Sequence, residues 1–190
     1  MPKRDVEGAS LKVLTHKEGV LSRVAHDLEI KVCSFSLTAD IDENGKWKEI
    51  QLVADPESLR VVGARVGERV VAGKLSGSDK QTIEENIRRD VLRTHQHRRV
   101  EFLSENIRRM DAGRYQLDGV LTLCGEKRDL SASVFRDGNF WSTSVRIHQP
   151  DFGIRPYTAM LGALRIKPKV DVLLTVPAEK VEEEGADQSG

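Results

Sequence analysis

RYQLDGVLTLCGEKRDLSASVFRDGNFWSTSVRIH, residues 114–148, is the stretch that decides the fold. Leu117, Leu121 and Leu123 share one parity in its first segment, Leu130, Ala132 and Val134 in the second, Trp141, Val145 and Ile147 in the third. A period of two places such residues on one face of a strand. Only Cys124-Gly125-Glu126 and Asp137-Gly138-Asn139 separate the segments, and both have the composition of tight turns. Three antiparallel strands joined tip to tip follow, with one face turned to a core.

The same pattern extends in both directions. Asp111-Ala112-Gly113 links the run to a strand predicted over residues 100–109 that carries Phe102. Downstream, Val170, Val172, Leu174 and Val176 alternate strictly over residues 167–176. Near the start, residues 10–15 form a first strand. Residues 27–42 form a longer one whose phase changes: Leu28, Ile30 and Val32 share one face, then Cys33, Phe35, Leu37, Ala39 and Ile41 take over. A period of two changes phase only at a bulge or sharp bend, as where a sheet curls into a barrel. Asn44-Gly45 is a hairpin turn, and residues 48–54 are the partner strand, with Ile50, Leu52 and Ala54 inward.

Asp55-Pro56 ends that strand. A brief edge strand is predicted around Leu59, Val61 and Val62, then a loop over residues 63–77 with four glycines. Ser78 and Gln81 have capping-box spacing, and Ile83, Ile87 and Val91 give a helix with one narrow apolar stripe. That helix is predicted to lie outside the sheet or across its edge. Residues 19–25 suggest a helical turn with Val20, Leu21 and Val24 on one face. The fold class is all-β with minor α, an antiparallel up-and-down barrel, with a sandwich as the alternative.

The chain has 190 residues, enough for one domain with a buried core. Residues 1–9 are expected as a flexible arm, 10–177 as the folded unit, and 178–190 as an acidic disordered tail. Lys+Arg and Asp+Glu are 30 each, and aromatic content is 5%, which argues against a general nucleic-acid binder. No run approaches the ~20 apolar residues of a membrane span, and the N-terminus has no apolar leader core. A cytoplasmic protein is expected, with Cys33 and Cys124 as reduced, buried or half-buried residues. Exposed strands and the helix offer flat surfaces for a homodimer.

Candidate residues for chemistry are few. His26-Asp27 are neighbours, and neighbours on a strand point to opposite faces. No nucleophile elbow, phosphate loop or dinucleotide fingerprint is present, and neither catalysis nor a cofactor is expected. His95-Gln96-His97 would chelate a metal only on a strand; as solvated residues at a helix end they would not, and no metal is expected. Arg93, His95, His97, Arg98 and Arg99 form either a phosphate-receiving patch or a solvated helix terminus. The stretch from His148 to Ile166, HQPDFGIRPYTAMLGALRI, suggests a turn, a short helix starting at Pro156, and an apolar face of Tyr157, Met160, Leu161 and Leu164. It is either a gate over the barrel mouth or a corner packed on the outside.

Several pieces, in order and spacing, resemble the YceI family of polyisoprenoid-binding, lipocalin-like barrel proteins. They are GVLSRVAHDLEI at 19–30, IRRDVLRT at 87–94, VEF at 100–102, LDGVLTLCGEKRDL at 117–130 and DFGIRPYTAMLGALRI at 151–166. The resemblance is to the branch without a secretory leader. It implies a lipocalin-like barrel of eight strands with a helix packed alongside. Such a barrel holds a long isoprenoid chain or similar amphiphilic lipid, its head near the mouth, and no catalytic residues are implied. Parity and position place the ligand lining at Phe35, Phe102, Leu121, Leu123, Phe152, Tyr157 and Leu161. The competing functions are a stress-related interaction module with a closed core, and an enzyme on a small amphiphile using His26, Asp27 or His148.

Overall fold

The structure is a computed structural model that describes residues 4–19, 26–159, 161 and 163–181. The helical turn expected at 19–25 and Met160 lie outside the described residues, Gly19 apart. The strands in chain order are β1 (Arg4–Asp5), β2 (Ser10–Thr15), β3 (Lys17–Glu18), β4 (Asp27–Val32), β5 (Phe35–Ile41), β6 (Trp47–Ala54), β7 (Leu59–Val66) and β8 (Arg69–Val71). After helix α1 (Gly77–Asn86) come β9 (Val100–Asp111), β10 (Arg114–Leu123), β11 (Glu126–Asp137), β12 (Phe140–His148), β13 (Thr158–Ala159), β14 (Leu164–Ile166) and β15 (Lys169–Pro177). The main sheet has twelve strands in the order β1-β5-β6-β9-β10-β11-β12-β15-β2-β4-β7-β8, and β13-β14-β3 form a small second sheet.

The phase change predicted in residues 27–42 is a bend at Cys33-Ser34. The hairpin pairing continues through it, from Val32↔Leu59 to Phe35↔Ala54. Cys33 N–H donates to Ser58 O at 3.3 Å, and Asp55 N–H to Ser34 O at 3.0 Å. On either side of the bend the flanking partners differ. β4 lies against β2 and β5 against β1; β6 lies against β9 and β7 against β8. Cys33 sits at the corner and is exposed, not buried as expected, because it follows the inward Val32.

Several boundaries differ from the sequence reading. The glycine-rich stretch after residue 62 is not one loop. β7 runs on to Val66 and turns back through Gly67-Glu68 into β8, with Val66 opposite Arg69. Gly67 has φ +62°, so the glycine marks a two-residue hairpin turn. β7 also pairs on both sides, with β4 and β8, and is not an edge. The helix begins one residue before Ser78, and its cap is Ser76. Asp79 N–H donates to Ser76 Oγ at 3.1 Å and Ser76 N–H donates to Asp79 Oδ2 at 2.8 Å. An acidic residue three positions on makes Ser76 the better cap; the Ser76 hydrogen bonds also hold the Asp79 carboxyl below its ordinary range. Residues Ile87–Val91 then continue as a π-helical turn, with Leu92 N–H donating to Ile87 O at 2.8 Å.

Pro156 does not start a helix. A short 3-10 turn covers Gln149–Phe152, and Gly153 closes it at φ +66°. Thr158–Ala159 and Leu164–Ile166 pair as strands, and Leu164–Ile166 pairs on with Lys17–Glu18. Proline's fixed φ suits extended backbone as well as a first helical turn, and here the available strand partner decides. At the termini, Arg4 and Asp5 pair with Ala39 and Thr38, and Val6, Ala178 and Val181 are buried.

One end of the sheet is closed by an aromatic cluster. Trp47 and Tyr115 stack at 4.2 Å between centroids, and Trp141 meets them edge-on at 5.3 and 5.4 Å. On the outer face near the other end, Asp171 of β15 ties three segments together. It accepts from Arg146 Nε at 2.7 Å and lies 2.8 Å from His16 Nε2. The Arg146 hydrogen bond, with help from His16, holds the Asp171 carboxyl below its ordinary range. A carboxylate with a lowered folded pKa adds stability above its unfolded pKa of ~3.9, and this is lost as pH falls through the folded value. Acid titration followed by circular dichroism should therefore show the wild type losing part of its advantage over Asp171→Asn below about pH 4. An unchanged difference between pH 7 and pH 3 would contradict it.

Candidate functional site

The inward residues enclose a cavity of about 820 Å³, within the ~300–1,000 Å³ usual for ligand pockets. Its wall is overwhelmingly apolar. Leu28, Ile30 and Val32 line it from β4, Leu52 from β6, Phe102 from β9, Leu121 and Leu123 from β10, and Val172 and Leu174 from β15. Trp47 and Trp141 form its floor at the aromatic end. The stripe Ile83, Ile87 and Val91 also borders the cavity, so the helix closes part of the opening rather than lying on the outside. The helix is anchored to β7, where Val61 N–H donates to Glu84 Oε1 at 2.8 Å and Lys80 Nζ donates to Val62 O at 2.8 Å.

Polar groups collect at the helix end. His26, Thr15, Thr82, Asn86, Gln149 and Tyr157 all border the cavity, and Asn86 Nδ2 lies 3.3 Å from the Tyr157 hydroxyl. That hydrogen bond links the helix to the segment entering β13. An apolar wall with a few convergent polar groups at one rim suits an elongated ligand with one polar end.

Of the residues expected as lining, Phe102, Leu121, Leu123 and Tyr157 border the cavity. Phe35 is half-buried at the bend, packed against the Leu28–Leu59 cluster, and does not border it. Phe152 is buried behind the wall with Leu121, Cys124, Ile147 and Ile154. Leu161 is fully exposed, with φ +55°. Within the 148–166 stretch the expected Tyr157 and Leu164 border the cavity, together with Gln149 and Ile154, and with Ala159 and Ile166, which share the parity of Tyr157 and Leu164 because strand pairing imposes a period of two where a helical one was expected. The tryptophan floor, and His26 and Asn86 beside the expected Tyr157 at the rim, are lining that the sequence reading does not include. Trp47, two residues past the Asn44-Gly45 turn, is the available signal for the floor.

The residues considered for catalysis are not assembled. His26 borders the cavity, whereas the Asp27 carboxylate accepts from Lys17 N–H at 2.7 Å. His148 Nδ1 lies 2.8 Å from Asp151 Oδ1 and does not border the cavity. His95-Gln96-His97 forms a turn, with Gln96 and His97 N–H both donating to Arg93 O. His95 is exposed, and His97 packs beside Gly125. Among the described residues no cluster of three His, Cys, Asp or Glu is placed to hold a metal. None of Arg93, His95, His97, Arg98 and Arg99 borders the cavity. Burial pushes the Cys124 thiol above its ordinary value, with Arg93 opposing the shift, and its Sγ lies 3.5 Å from Leu92 O.

These features define an all-β, antiparallel protein with one α-helix among its described residues, built around a deep apolar cavity with a polar rim. The chain belongs to the YceI-like domain family, whose model matches residues 9–178. Its structure is similar to that of Burkholderia cenocepacia BcnA, with a TM-score of 0.64 at 14% identity, covering 90% of this chain and 98% of that one. It is similar to a polyisoprenoid binding domain from Saccharophagus degradans implicated in plant cell wall breakdown, with a TM-score of 0.52 at 15% identity, covering 92% and 97%. It is also similar to the Campylobacter jejuni YCEI protein, with a TM-score of 0.50 at 14% identity, covering 76% and 82%. At these identities the likeness concerns the fold. No curated protein matches the chain in sequence at a significant level. Among the described residues no helix is long and apolar enough to cross a membrane.

Proposed function

We propose that this protein binds an isoprenoid or similar amphiphilic lipid, without catalysing a reaction on it. The apolar chain occupies the cavity and the polar end lies at the His26–Asn86–Tyr157 rim. The observation that carries this reading is the cavity of about 820 Å³ with an almost wholly apolar wall. Family membership and the likeness to a polyisoprenoid binding domain support the same ligand class. An interaction module with a closed core would have no such hollow, and of His26, Asp27 and His148, any of which an enzyme on a small amphiphile was expected to use, only His26 borders the cavity.

The container itself is, on this reading, a closed barrel of eight strands. β4 with β5, and β6 with β7, are two long strands each bent once. Taken as single strands they complete a ring: β2, β4/β5, β6/β7, β9, β10, β11, β12, β15 and back to β2. The short β1 and β8 are additions at the two bends. We place the protein in the cytoplasm, in keeping with Cys33 and Cys124 both being free thiols.

Native mass spectrometry of freshly purified protein tests the function, together with displacement of a fluorescent long-chain probe by prenyl alcohols. A co-purified lipid mass, or saturable displacement at one site per chain, is the expected result. A bare protein mass with no saturable displacement would overturn the reading.

A further inference from the structure

The wall has a seam. β11 and β12 pair only from Asp137↔Phe140 to Val134↔Thr143. Beyond that, β11 remains paired with β10 as far as Glu126, and β12 with β15 as far as His148. Residues 126–133 and 144–148 thus face each other across a gap without pairing. Phe152 belongs to the buried cluster with Leu121, Cys124, Ile147 and Ile154, against which Leu130 and Val145 of the two arms pack.

In a continuous sheet, alternation separates inward from outward side chains. At the seam that separation fails. Leu130, Thr143 and Val145 have inward parity and Ser142 outward parity, yet all four border both the main cavity and a second, outer cavity of about 450 Å³. The two spaces meet there. The outer one is lined by hydroxyls, those of Ser131, Ser133, Ser142, Ser144 and Thr175 among them. Arg146 is its one charged side chain among the described residues, and Asp171 engages it at 2.7 Å. Ser131 and Ser133 already donate to Asp118 at 2.6 Å and Gln116 at 2.8 Å. Thr143 Oγ1 differs: it is buried at the junction and has no hydrogen-bond partner among the described residues.

We propose that this seam is a second, polar subsite of the cavity, for an uncharged hydrogen-bonding group on the bound lipid, a hydroxyl in its simplest form. The proposal rests on the reading of the cavity as a lipid site. A hydroxyl both donates and accepts, so a cluster of hydroxyls matches a neutral alcohol. A phosphate or carboxylate needs free cationic donors, and the only cation lining this space among the described residues, Arg146, is already engaged by Asp171. Leaving the Thr143 hydroxyl unpaired carries a desolvation cost that a ligand hydroxyl in the junction removes.

Thr143→Val is the direct test, because it keeps the side-chain shape and removes the hydroxyl. The ligand-free variant should melt at the wild-type temperature or above it. Every polar probe carries a terminal hydroxyl for the rim: 1-hexadecanol is the reference, and a set of hexadecane-1,n-diols adds a second hydroxyl at increasing distance along the chain, each delivered from cyclodextrin and compared with hexadecane by calorimetry. The best-placed diol should bind wild type more tightly than 1-hexadecanol does, and should bind Thr143→Val about fivefold more weakly than wild type, the size expected for one hydrogen bond. 1-Hexadecanol and hexadecane should each bind both proteins equally. Ser142→Ala, on the outer side of the same junction, should weaken that diol in the same sense. Equal affinity of every diol for Thr143→Val and wild type would overturn the subsite and leave the lipid cavity standing. Failure of all the probes to bind wild type would overturn both.

Discussion

Gly119→Ala is expected to lower the stability of the fold by about 3 kcal/mol or more, at the upper end for overpacking. A Cβ on Gly119 would collide with Leu103 O and lie 2.8 Å from Ser104 Cα and 3.0 Å from Leu103 C. All three are backbone atoms, so no rotamer change relieves the clash, and β9 must move away from β10. The pairing there is already irregular: Asp118 faces Asn106 and Gly119 faces Ser104, leaving Glu105 as the extra residue of a bulge. A shift of β9 would also disturb the Ser104 Oγ that accepts from Ile50 N–H at 2.8 Å, where the β6–β9 backbone pairing has ended. Local failure therefore spreads to two strand contacts of the wall. At ~2–4 °C per kcal/mol for a chain of this size, Tm should fall by about 6–12 °C. Thermal melts and urea titration measure it; a Gly119→Ala protein within 0.5 kcal/mol of wild type would show that the two strands separate without cost.

Gly119 also shows why some of the fold is readable and some is not. The alternation of Leu117, Leu121 and Leu123 identifies the strand, and the inward set Leu130, Ala132 and Val134 identifies its partner. Both follow from side chains that must avoid water on one face only. The bulge opposite Gly119 depends on how β9 approaches across the sheet, and no local pattern encodes it. The bend at Cys33-Ser34 was visible for the opposite reason, since a change of parity within one strand has no other solution. Its consequence was not visible: the strand keeps one hairpin partner on both sides of the bend while changing its flanking neighbours.

The site was legible in the same measure. Phe102, Leu121 and Leu123 lie on regular strands, where parity alone places them against the cavity. Phe152, Tyr157 and Leu161 lie where backbone partners, not side-chain periodicity, decide the conformation. There Thr158–Ala159 and Leu164–Ile166 adopt strand pairing because Lys17–Glu18 is available beside them. Leu161, with positive φ, is turned to solvent at the tip of that excursion, while Tyr157 and Leu164 reach the cavity. The helix was placed by its Ile83, Ile87 and Val91 stripe, but only the structure shows that the stripe faces a hollow rather than a filled core. Seams follow the same logic. The β11–β12 turn chemistry predicts a hairpin, and nothing in Ser131, Ser133, Ser142 and Ser144 announces that its arms diverge after Val134↔Thr143.

Trp141→Ala should have the second large effect, about 3–5 kcal/mol for loss of a buried tryptophan. Trp141 is buried, meets Trp47 and Tyr115 edge-on, and has the Arg136 guanidinium 5.6 Å from its ring centre. Those contacts hold β12 against β6 and β10 at the closed end, where the ring is also part of the cavity floor. In a filled core the void left by alanine would be partly removed by collapse of its neighbours. Here it opens into an existing hollow, so the walls gain little by moving and the full loss of packing should be felt. The melting temperature of the ligand-free variant should fall by about 6–20 °C, against a change of a degree or two for Phe135→Ala, whose side chain is half exposed. The same enlargement lengthens the cavity at its floor. A bound chain that overfills the wild-type interior should therefore raise the Tm of Trp141→Ala more than that of wild type, whereas a short chain should raise the two equally. Melting both proteins against a series of alcohols of increasing length separates the effects. A stability loss with no change in chain-length preference would place Trp141 in the structural floor alone, outside the space the ligand fills.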